Sequence, residues 1–201
     1  MAIEGLTAFR TNRFEGKHIV SPLHKGFVWE RQTTWAKPCQ YGCPQTVLNP
    51  DEPEVKTLNP GMSCHCGIYA TLTRDEIHEY MTKYKEGVLC LVEAIGRYVV
   101  HYDKNTSHIE SIVEPAGGFR AAGVQIVCIV NSSPHKKRHI VPGAEFLLDR
   151  KSALIVSAAE YFHVPVLEYD QAIEISKIMW EKICPELPWI FDLEALYATA
   201  S

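Results

Sequence analysis

The 201-residue sequence has no uninterrupted apolar run of the roughly 18 residues that a membrane-spanning helix requires. Its first residues, MAIEGLTAFRTNRFEG, lack the apolar stretch of a secretory signal peptide. From these two absences we expect a cytoplasmic protein that does not bind a membrane and whose thiols stay reduced. The odd number of cysteines, seven, also argues against a framework of paired disulfides.

The sequence also lacks a strong net charge and the common phosphate-binding motifs. Its formal net charge is -4, which gives no reason to expect a nucleic-acid partner. Gly117, Gly118 and Gly123 do not form a G-x-G-x-x-G fingerprint, and no P-loop motif occurs. The one basic run, HKKRH at residues 135–139, is expected to be a solvated loop, and the alternative is a loop that contacts nucleic-acid phosphates.

The composition is that of an ordinary globular protein, with 46% hydrophobic and 22% charged residues. A chain of this length suits one domain, which we expect to span residues 1–201. It divides into an N-terminal arm (1–37), a cysteine loop (38–72), an α+β core (73–168) and C-terminal helices (169–201). The arm shows little periodicity and the cysteine loop is rich in proline, so both are predicted to be irregular.

Strand patterns are concentrated between residues 88 and 131. The segment VLCLVEAIGRYVVHY is rich in β-branched and aromatic residues and predicts strands at 88–95 and 97–102, with Gly96 as a bend or bulge between them. The segment FRAAGVQIVCIVN predicts a central strand, because both of its faces are largely apolar. Strict alternation would put one set of its residues on a shared face, namely Val124, Ile126, Cys128 and Val130.

Helix signals lie on both sides of these strands. Thr73 and Glu76 form a capping box that predicts a first helix. Asp149 and Asp170 are predicted to cap two later helices. The earlier of these two has an apolar stripe made of Leu154, Ile155, Ala158, Ala159 and Phe162. Strands followed by helices favour an α+β fold, with a small, mostly antiparallel sheet, flanking helices and a long, irregular N-terminal region that zinc would staple.

Four of the seven cysteines fall into two clustered pairs, CQYGC and CHC, which contain Cys39, Cys43, Cys64 and Cys66. Four thiolates around one ion are the ligand set of a structural zinc site, and an iron–sulfur cluster is the alternative. In an extended CHC segment the two thiols project to the same side and His65 projects to the other. The other interpretation is that some of the four are free, buried cysteines.

The remaining cysteines, Cys90, Cys128 and Cys184, lie in predicted strands or at a helix end and are expected in the core. A nucleophilic cysteine needs a base and an electropositive setting such as a helix N-terminus. Cys66 and His101 are the candidate pair for catalysis, but no helix is predicted to begin beside Cys66. We therefore favour a protein that is not an enzyme, and an enzyme is the alternative.

Arg120 in the segment GGFRAAG is the candidate for ligand binding. An arginine in a largely apolar central strand has to reach a carboxylate or an anion, or lie at the end of the sheet. One interpretation pairs it with Glu93 or Glu114, and the other uses its guanidinium to bind an anionic ligand. Tyr69 and His101 would share the pocket of such a ligand.

Four segments, CHCGIYA, GRYVVHY, GGFRAAGVQI and AAEYFHVPVLE, resemble a family of small uncharacterised bacterial and phage proteins over residues 35–168. The chain departs from the family pattern by the insertion DKNTSHIESIVEPA between the second and third segments. The resemblance implies no particular activity. It implies that one set of residues acts together, namely Cys66, Gly67, Tyr69, His101 and Arg120.

These patterns support two functional hypotheses. The first is a non-enzymatic binding or regulatory protein with a zinc-stabilised loop, which acts through a protein partner. Trp29 and Trp35 in its aromatic N-terminal arm would form the contact surface. The second is a protein or enzyme that binds an anionic small molecule or nucleotide with Tyr69, His101 and Arg120.

Overall fold

The computed structural model describes residues 3–15, 18–21, 27–36, 46–48, 56–58, 67–72, 77, 87–102, 116–131 and 145–185. In these ranges the protein is α+β, as predicted, with a seven-stranded, mostly antiparallel sheet, a separate two-stranded sheet and two helices. The basic run 135–139 lies outside the described residues. So does the helix predicted after Thr73, except that Ile77 is helical and buried.

The described strands are β1 (Thr7–Glu15), β2 (His18–Val20), β3 (Thr33–Trp35), β4 (Thr46–Leu48), β5 (Lys56–Leu58), β6 (Ile68–Thr71), β7 (Gly87–Tyr102), β8 (Ala116–Val130) and β9 (Val166–Leu167). The described helices are α1 (Glu145–Phe162) and α2 (Tyr169–Ile183). Strands β4 and β5 pair with each other as a hairpin, and the other seven strands form the main sheet. Only the pairing of β8 with β9 is parallel among the described strand pairs of that sheet.

The two longest strands, β7 and β8, form the centre of the main sheet. They pair antiparallel along nearly their whole length. The strands predicted at 88–95 and 97–102 are therefore one strand, interrupted by a register shift around Gly96, whose φ is 69°. On its other edge β8 pairs with β6, β3 and β9, which confirms its predicted central position.

Four of the strands close into a ring in the order β1, β7, β8, β6. Strand β7 pairs with β1 on one edge and with β8 on the other, and β8 pairs in turn with β6. Strand β6 returns to β1 through the pair Phe9–Thr71. The 16 residues of β7 are roughly three times the usual strand length, so its first half can pair with β1 while its second half lies beside the β6 end of β8.

The N-terminal arm is not irregular, and this part of the predicted fold is wrong. Residues 7–15 form β1, which pairs with β7 over seven consecutive residues, and β2 and β3 add two further strands. Both faces of β1 are covered, so Thr7, Thr11 and Asn12 are buried together with the apolar residues. A strand buried on both faces shows no alternation of polar and apolar residues, which is why its pattern was not recognisable.

Two clusters of buried side chains cover the two faces of the main sheet. The inner cluster takes residues from every strand of the ring, including Ala8, Ala70, Val92 and Phe119, and therefore fills its inside. The predicted apolar stripe of α1 packs on this cluster. The outer cluster surrounds Phe9 and includes residues from the first turn of α2.

A β-bulge at Val127 changes which residues of β8 share a face. Leu91 lies opposite Cys128, but the next residue, Val92, lies opposite Ile126. Ile126 therefore belongs to the inner cluster and Cys128 to the outer one. The prediction that these two residues share a face is wrong, because one inserted residue reverses the alternation beyond it.

Neither helix begins at its predicted cap. Helix α1 begins at Glu145, so Asp149 lies inside it. Helix α2 is capped by Glu168, whose backbone N–H donates to Gln171 Oε1 at 3.1 Å. Asp170 lies in the first turn of α2. A carboxylate interacts favourably with the helix dipole both at the cap and in the first turn, so the sequence pattern did not distinguish a first-turn position for Asp170 from a cap position.

Candidate functional site

The main sheet brings the predicted ligand-binding residues close together. Tyr69 of β6 lies directly opposite Arg120 of β8. On the other edge of β8, Arg120 lies opposite Val99, and His101 lies two positions further along β7, opposite Gly118. The three predicted residues therefore occupy neighbouring positions on three adjacent strands.

Arg120 lies on the outer face of the ring. Phe119 and Ala121, on either side of it, belong to the inner cluster, so the side chain between them projects to the other face. Arg120 is only 3% exposed, whereas Tyr69 beside it is 41% exposed. This position combines a charged group that is almost withdrawn from water with an accessible aromatic ring.

Trp35 extends this surface along β8. It lies opposite Gly123, on the same edge of β8 as Tyr69. Ala121 and Val124 both belong to the inner cluster although they are three residues apart, so the alternation of β8 is interrupted between them, where the pairing with β7 also shifts register. Gly123, next to Val124, and Trp35, next to the inner residue Ala36, therefore lie on the outer face. A Cβ on Gly123 would lie 2.7 Å from the Trp35 ring, so this glycine makes room for the indole. We refer to Trp35, Tyr69 and Arg120 as the outer-face site.

Trp29 does not belong to the outer-face site. It was predicted with Trp35 to form a contact surface, but it is only 1% exposed, so that prediction is wrong and the protein partner itself stays a prediction. The Cζ atom of Arg10 lies 6.0 Å from the centre of the Trp29 ring. Arg10 Nη1 donates to the Tyr69 carbonyl at 2.5 Å, and Nη2 donates to Ser21 Oγ at 3.4 Å.

Arg10 contacts the backbone of Tyr69 from the inner face, a contact that the sequence did not predict. Strands β1 and β6 are joined by the pair Phe9–Thr71, and the Arg10 side chain bridges them one position further along. The hydrogen bond holds the backbone of Tyr69 from the inner face of the sheet, whereas Arg120 lies on the outer face. Residues two positions apart in a strand share a face, so Arg10 would have been placed on the same face as Ala8 if the arm had been predicted as a strand. Because the arm was expected to be irregular, nothing in the sequence singled out Arg10.

Glu93 has a structural role at the start of the chain. Its Oε1 atom accepts hydrogen bonds from the backbone N–H groups of Glu4 at 2.8 Å and Gly5 at 2.5 Å. Glu93 is buried, and these charge-assisted hydrogen bonds hold the residues before β1 against β7. Glu114, the other acidic residue considered for Arg120, lies outside the described residues.

The predicted cysteine loop (38–72) is not irregular throughout, because it contains β4, β5 and β6, so that prediction is wrong there. The chain leaves the sheet before this segment and rejoins it at β6, at neighbouring points. The Ala36 N–H donates to the Ala122 carbonyl at 2.8 Å, and Ile68 lies opposite Ala121. Gly67, with φ of 111°, comes immediately before Ile68. The two ends of the loop are therefore held at consecutive residues of β8, which we refer to as the neck of the loop.

The hairpin of β4 and β5 lies between the two cysteine pairs in sequence. Its register puts Thr46 opposite Leu58, so the segments that lead to CQYGC and to CHC leave it at the same end. Among the residues that the structure describes, no group of three or more His, Cys, Asp or Glu is arranged to hold a metal ion. The four predicted ligands lie outside that part of the chain, and they are Cys39, Cys43, Cys64 and Cys66.

Cys90 and Cys128 are buried, as predicted, and lie on opposite faces of the sheet. Burial raises the pKa of the Cys90 thiol from 9.0 to about 12, although the Asn12 amide, 3.7 Å from its Sγ, and Arg10 oppose the rise. Burial, together with the neighbouring Cys90, raises the pKa of Cys128 to about 12 as well. Neither thiol can act as a nucleophile near neutral pH, and Cys184 is partly buried.

These two thiols predict a loss of stability at alkaline pH. Above pH 9 they ionise in the unfolded chain but stay protonated in the folded one, because their pKa in the fold is about 12. The unfolded state then binds fewer protons than the folded state, so the free energy of unfolding falls as pH rises. We expect urea unfolding to show a loss of about 3 kcal/mol between pH 8 and pH 10 from the pair.

The control for this prediction is the variant Cys90→Ala/Cys128→Ala. The stability of this variant should fall by about 3 kcal/mol less between the two pH values than the stability of the original protein. If the two proteins lose stability in parallel, other groups that ionise at alkaline pH cause the effect.

Comparison of the chain with protein-family models, with curated proteins and with solved structures found no match. The family resemblance of the four motif segments therefore stays a prediction. In the part of the chain that the structure describes, no helix is long and apolar enough to cross a membrane. Function has to be inferred from the chemistry of the outer-face site.

Proposed function

We propose that this protein binds an anionic small molecule at the outer-face site. The observation that carries the proposal is the direct cross-strand pair of Tyr69 and Arg120, with His101 at a neighbouring register position. The motif pattern of the sequence grouped these three residues, and the pairing of β6, β8 and β7 supports that grouping independently.

The chemistry of Arg120 favours an anion as the ligand. A guanidinium is planar and presents its N–H donors in a fork that matches the oxygens of a carboxylate or phosphate. Arg120 is 3% exposed, so water screens its charge far less than it screens a surface cation. The exposed ring of Tyr69 adds an apolar surface beside the charge, which suits an anion that carries an organic group.

The proposal predicts that inorganic phosphate and malonate stabilise the protein and that Arg120→Met removes this effect. A ligand at 100 times its Kd adds about 2.7 kcal/mol of stability, which corresponds to a rise in Tm of roughly 5–10 °C for a chain of this size. Thermal unfolding with increasing concentrations of each anion measures the shift. Arg120→Lys keeps the charge without the fork and should retain only part of the stabilisation.

Arg13→Met is the matched control, because Arg13 lies on β1 away from the outer-face site and forms a surface ion pair with Glu15 at 3.6 Å. Its response to both anions should equal that of the original protein. If neither anion shifts the Tm, or if Arg13→Met loses the shift as fully as Arg120→Met, the proposal is wrong.

A second proposal is that four cysteines of the loop bind zinc, namely Cys39, Cys43, Cys64 and Cys66. The neck supports it. The first of these cysteines is three residues after Ala36 and the last is two residues before Ile68, and the neck holds Ala36 and Ile68 at consecutive residues of β8. The hairpin of β4 and β5 supports the proposal too. It lies between the two cysteine pairs in sequence, and its first residue, Thr46, pairs with its last, Leu58, so the chain enters and leaves the hairpin at the same end.

The zinc proposal predicts about one zinc ion per chain in protein purified under reducing conditions, with a lower Tm after chelation. Elemental analysis measures the first quantity and thermal unfolding the second. Cys66→Ser should lose the metal, whereas Cys128→Ala, which alters a buried thiol of the sheet, should keep it. A preparation that folds fully and contains no metal would contradict the proposal.

A further inference from the structure

We infer that the anion bound at the outer-face site is a nucleotide, an inference that rests on the anion binding proposed above. Two aromatic residues lie along one edge of β8, the first at the Arg120 position and the second beyond it. Tyr69 is opposite Arg120 itself, and Trp35 is opposite Gly123, three residues further along. At about 3.3 Å per residue, the register positions of Tyr69 and Trp35 are separated by roughly 10 Å along the strand.

A nucleotide has the two chemical groups that this surface can recognise. Its base is a flat ring that stacks on accessible aromatic side chains, and its phosphate accepts hydrogen bonds from a guanidinium. Tyr69, which is 41% exposed, lies directly opposite Arg120, so a ligand that stacks its ring on Tyr69 brings an attached anionic group next to the Arg120 position. A simple inorganic anion would use Arg120 and leave both aromatic rings unused.

The sheet also holds the Trp35 ring in place. A Cβ on Gly123 would lie 2.7 Å from this ring and a Cβ on Gly96 would lie 3.6 Å from it, so the indole packs against the glycine backbone of both β8 and β7. Trp35 remains partly exposed. An aromatic side chain that is already ordered by rigid strands loses little entropy when a base stacks on it.

Calorimetric titration with AMP, inorganic phosphate and adenosine tests the inference. We expect AMP to bind about tenfold more tightly than phosphate, because stacking of one base contributes that much affinity. Tyr69→Ala should weaken AMP binding about tenfold and leave phosphate binding unchanged, whereas Tyr69→Phe should keep the affinity for AMP. Tyr161→Ala is the control, since Tyr161 is 58% exposed on α1, outside the site.

The titrations distinguish the inferred binding of a nucleotide from the proposed binding of an anion. If phosphate binds but AMP binds no more tightly, the nucleotide inference is overturned and anion binding stands. If Tyr69→Ala weakens phosphate and AMP equally, the stacking role of Tyr69 is overturned. If neither AMP nor phosphate binds, the nucleotide inference and the proposed function both fail.

Discussion

Replacing Gly118 by alanine is expected to lower the free energy of unfolding by about 3 kcal/mol or more. Gly118 has φ of 142°, a conformation that residues with a side chain rarely adopt. A Cβ at this position would collide with the Ala70 carbonyl oxygen and lie 2.8 Å from the Thr71 Cα. Both atoms belong to the backbone of β6, so relief of the collision requires β6 to move away from β8.

The same substitution should also weaken anion binding, because β6 carries Tyr69 and closes the ring against β1. Urea unfolding measures the stability, and titration with phosphate measures the affinity. Gly96→Ala is the matched control. Gly96 also has a positive φ, 69°, but the nearest atom to a Cβ there is at 3.6 Å, so this variant should lose only about 1 kcal/mol. Equal losses in the two variants would show that backbone strain, rather than contact with β6, sets the cost.

The central hairpin and the helix stripe could be predicted because their signals are local. The apolar, β-branched segments of β7 and β8 and the 3.6-residue period of α1 depend only on residues close in sequence. The bulge at Val127 could not be predicted, because an inserted residue is defined by what lies opposite it on β7. Because of this one residue, Ile126 and Cys128 were predicted to share a face, although they lie on opposite faces of the sheet.

The outer-face site could be predicted only in part, because some of its features depend on residues that are distant in sequence. Tyr69 and Arg120 came from short motifs, and their pairing follows once β6 and β8 are adjacent. Arg10 was missed because its hydrogen bond to the Tyr69 carbonyl joins residues 59 positions apart. Contacts of that kind depend on how the ring closes, and strand pairing between distant segments leaves no local pattern in the sequence.

Replacing Trp180 by alanine is expected to lower the free energy of unfolding by about 3–5 kcal/mol. Trp180 is a large side chain of α2 that is only 1% exposed and belongs to the inner cluster. Its Nε1 donates to the Thr7 carbonyl at 2.5 Å, so the substitution removes both apolar packing and a link between α2 and β1. Urea unfolding measures the loss, and Ile178→Ala is the control, because Ile178 lies on the same helix and is 54% exposed.

Two donors share the Thr7 carbonyl, since Ser176 Oγ also donates to it at 2.9 Å. Trp180→Phe and Ser176→Ala should therefore be mild when made separately, because each leaves the carbonyl one donor. The double variant leaves a buried carbonyl without either, and it should lose about 1 kcal/mol more than the sum of the single variants. A double-mutant cycle measured by urea unfolding gives this coupling. Strict additivity would mean that another group satisfies the Thr7 carbonyl and that apolar contacts alone hold α2 against β1.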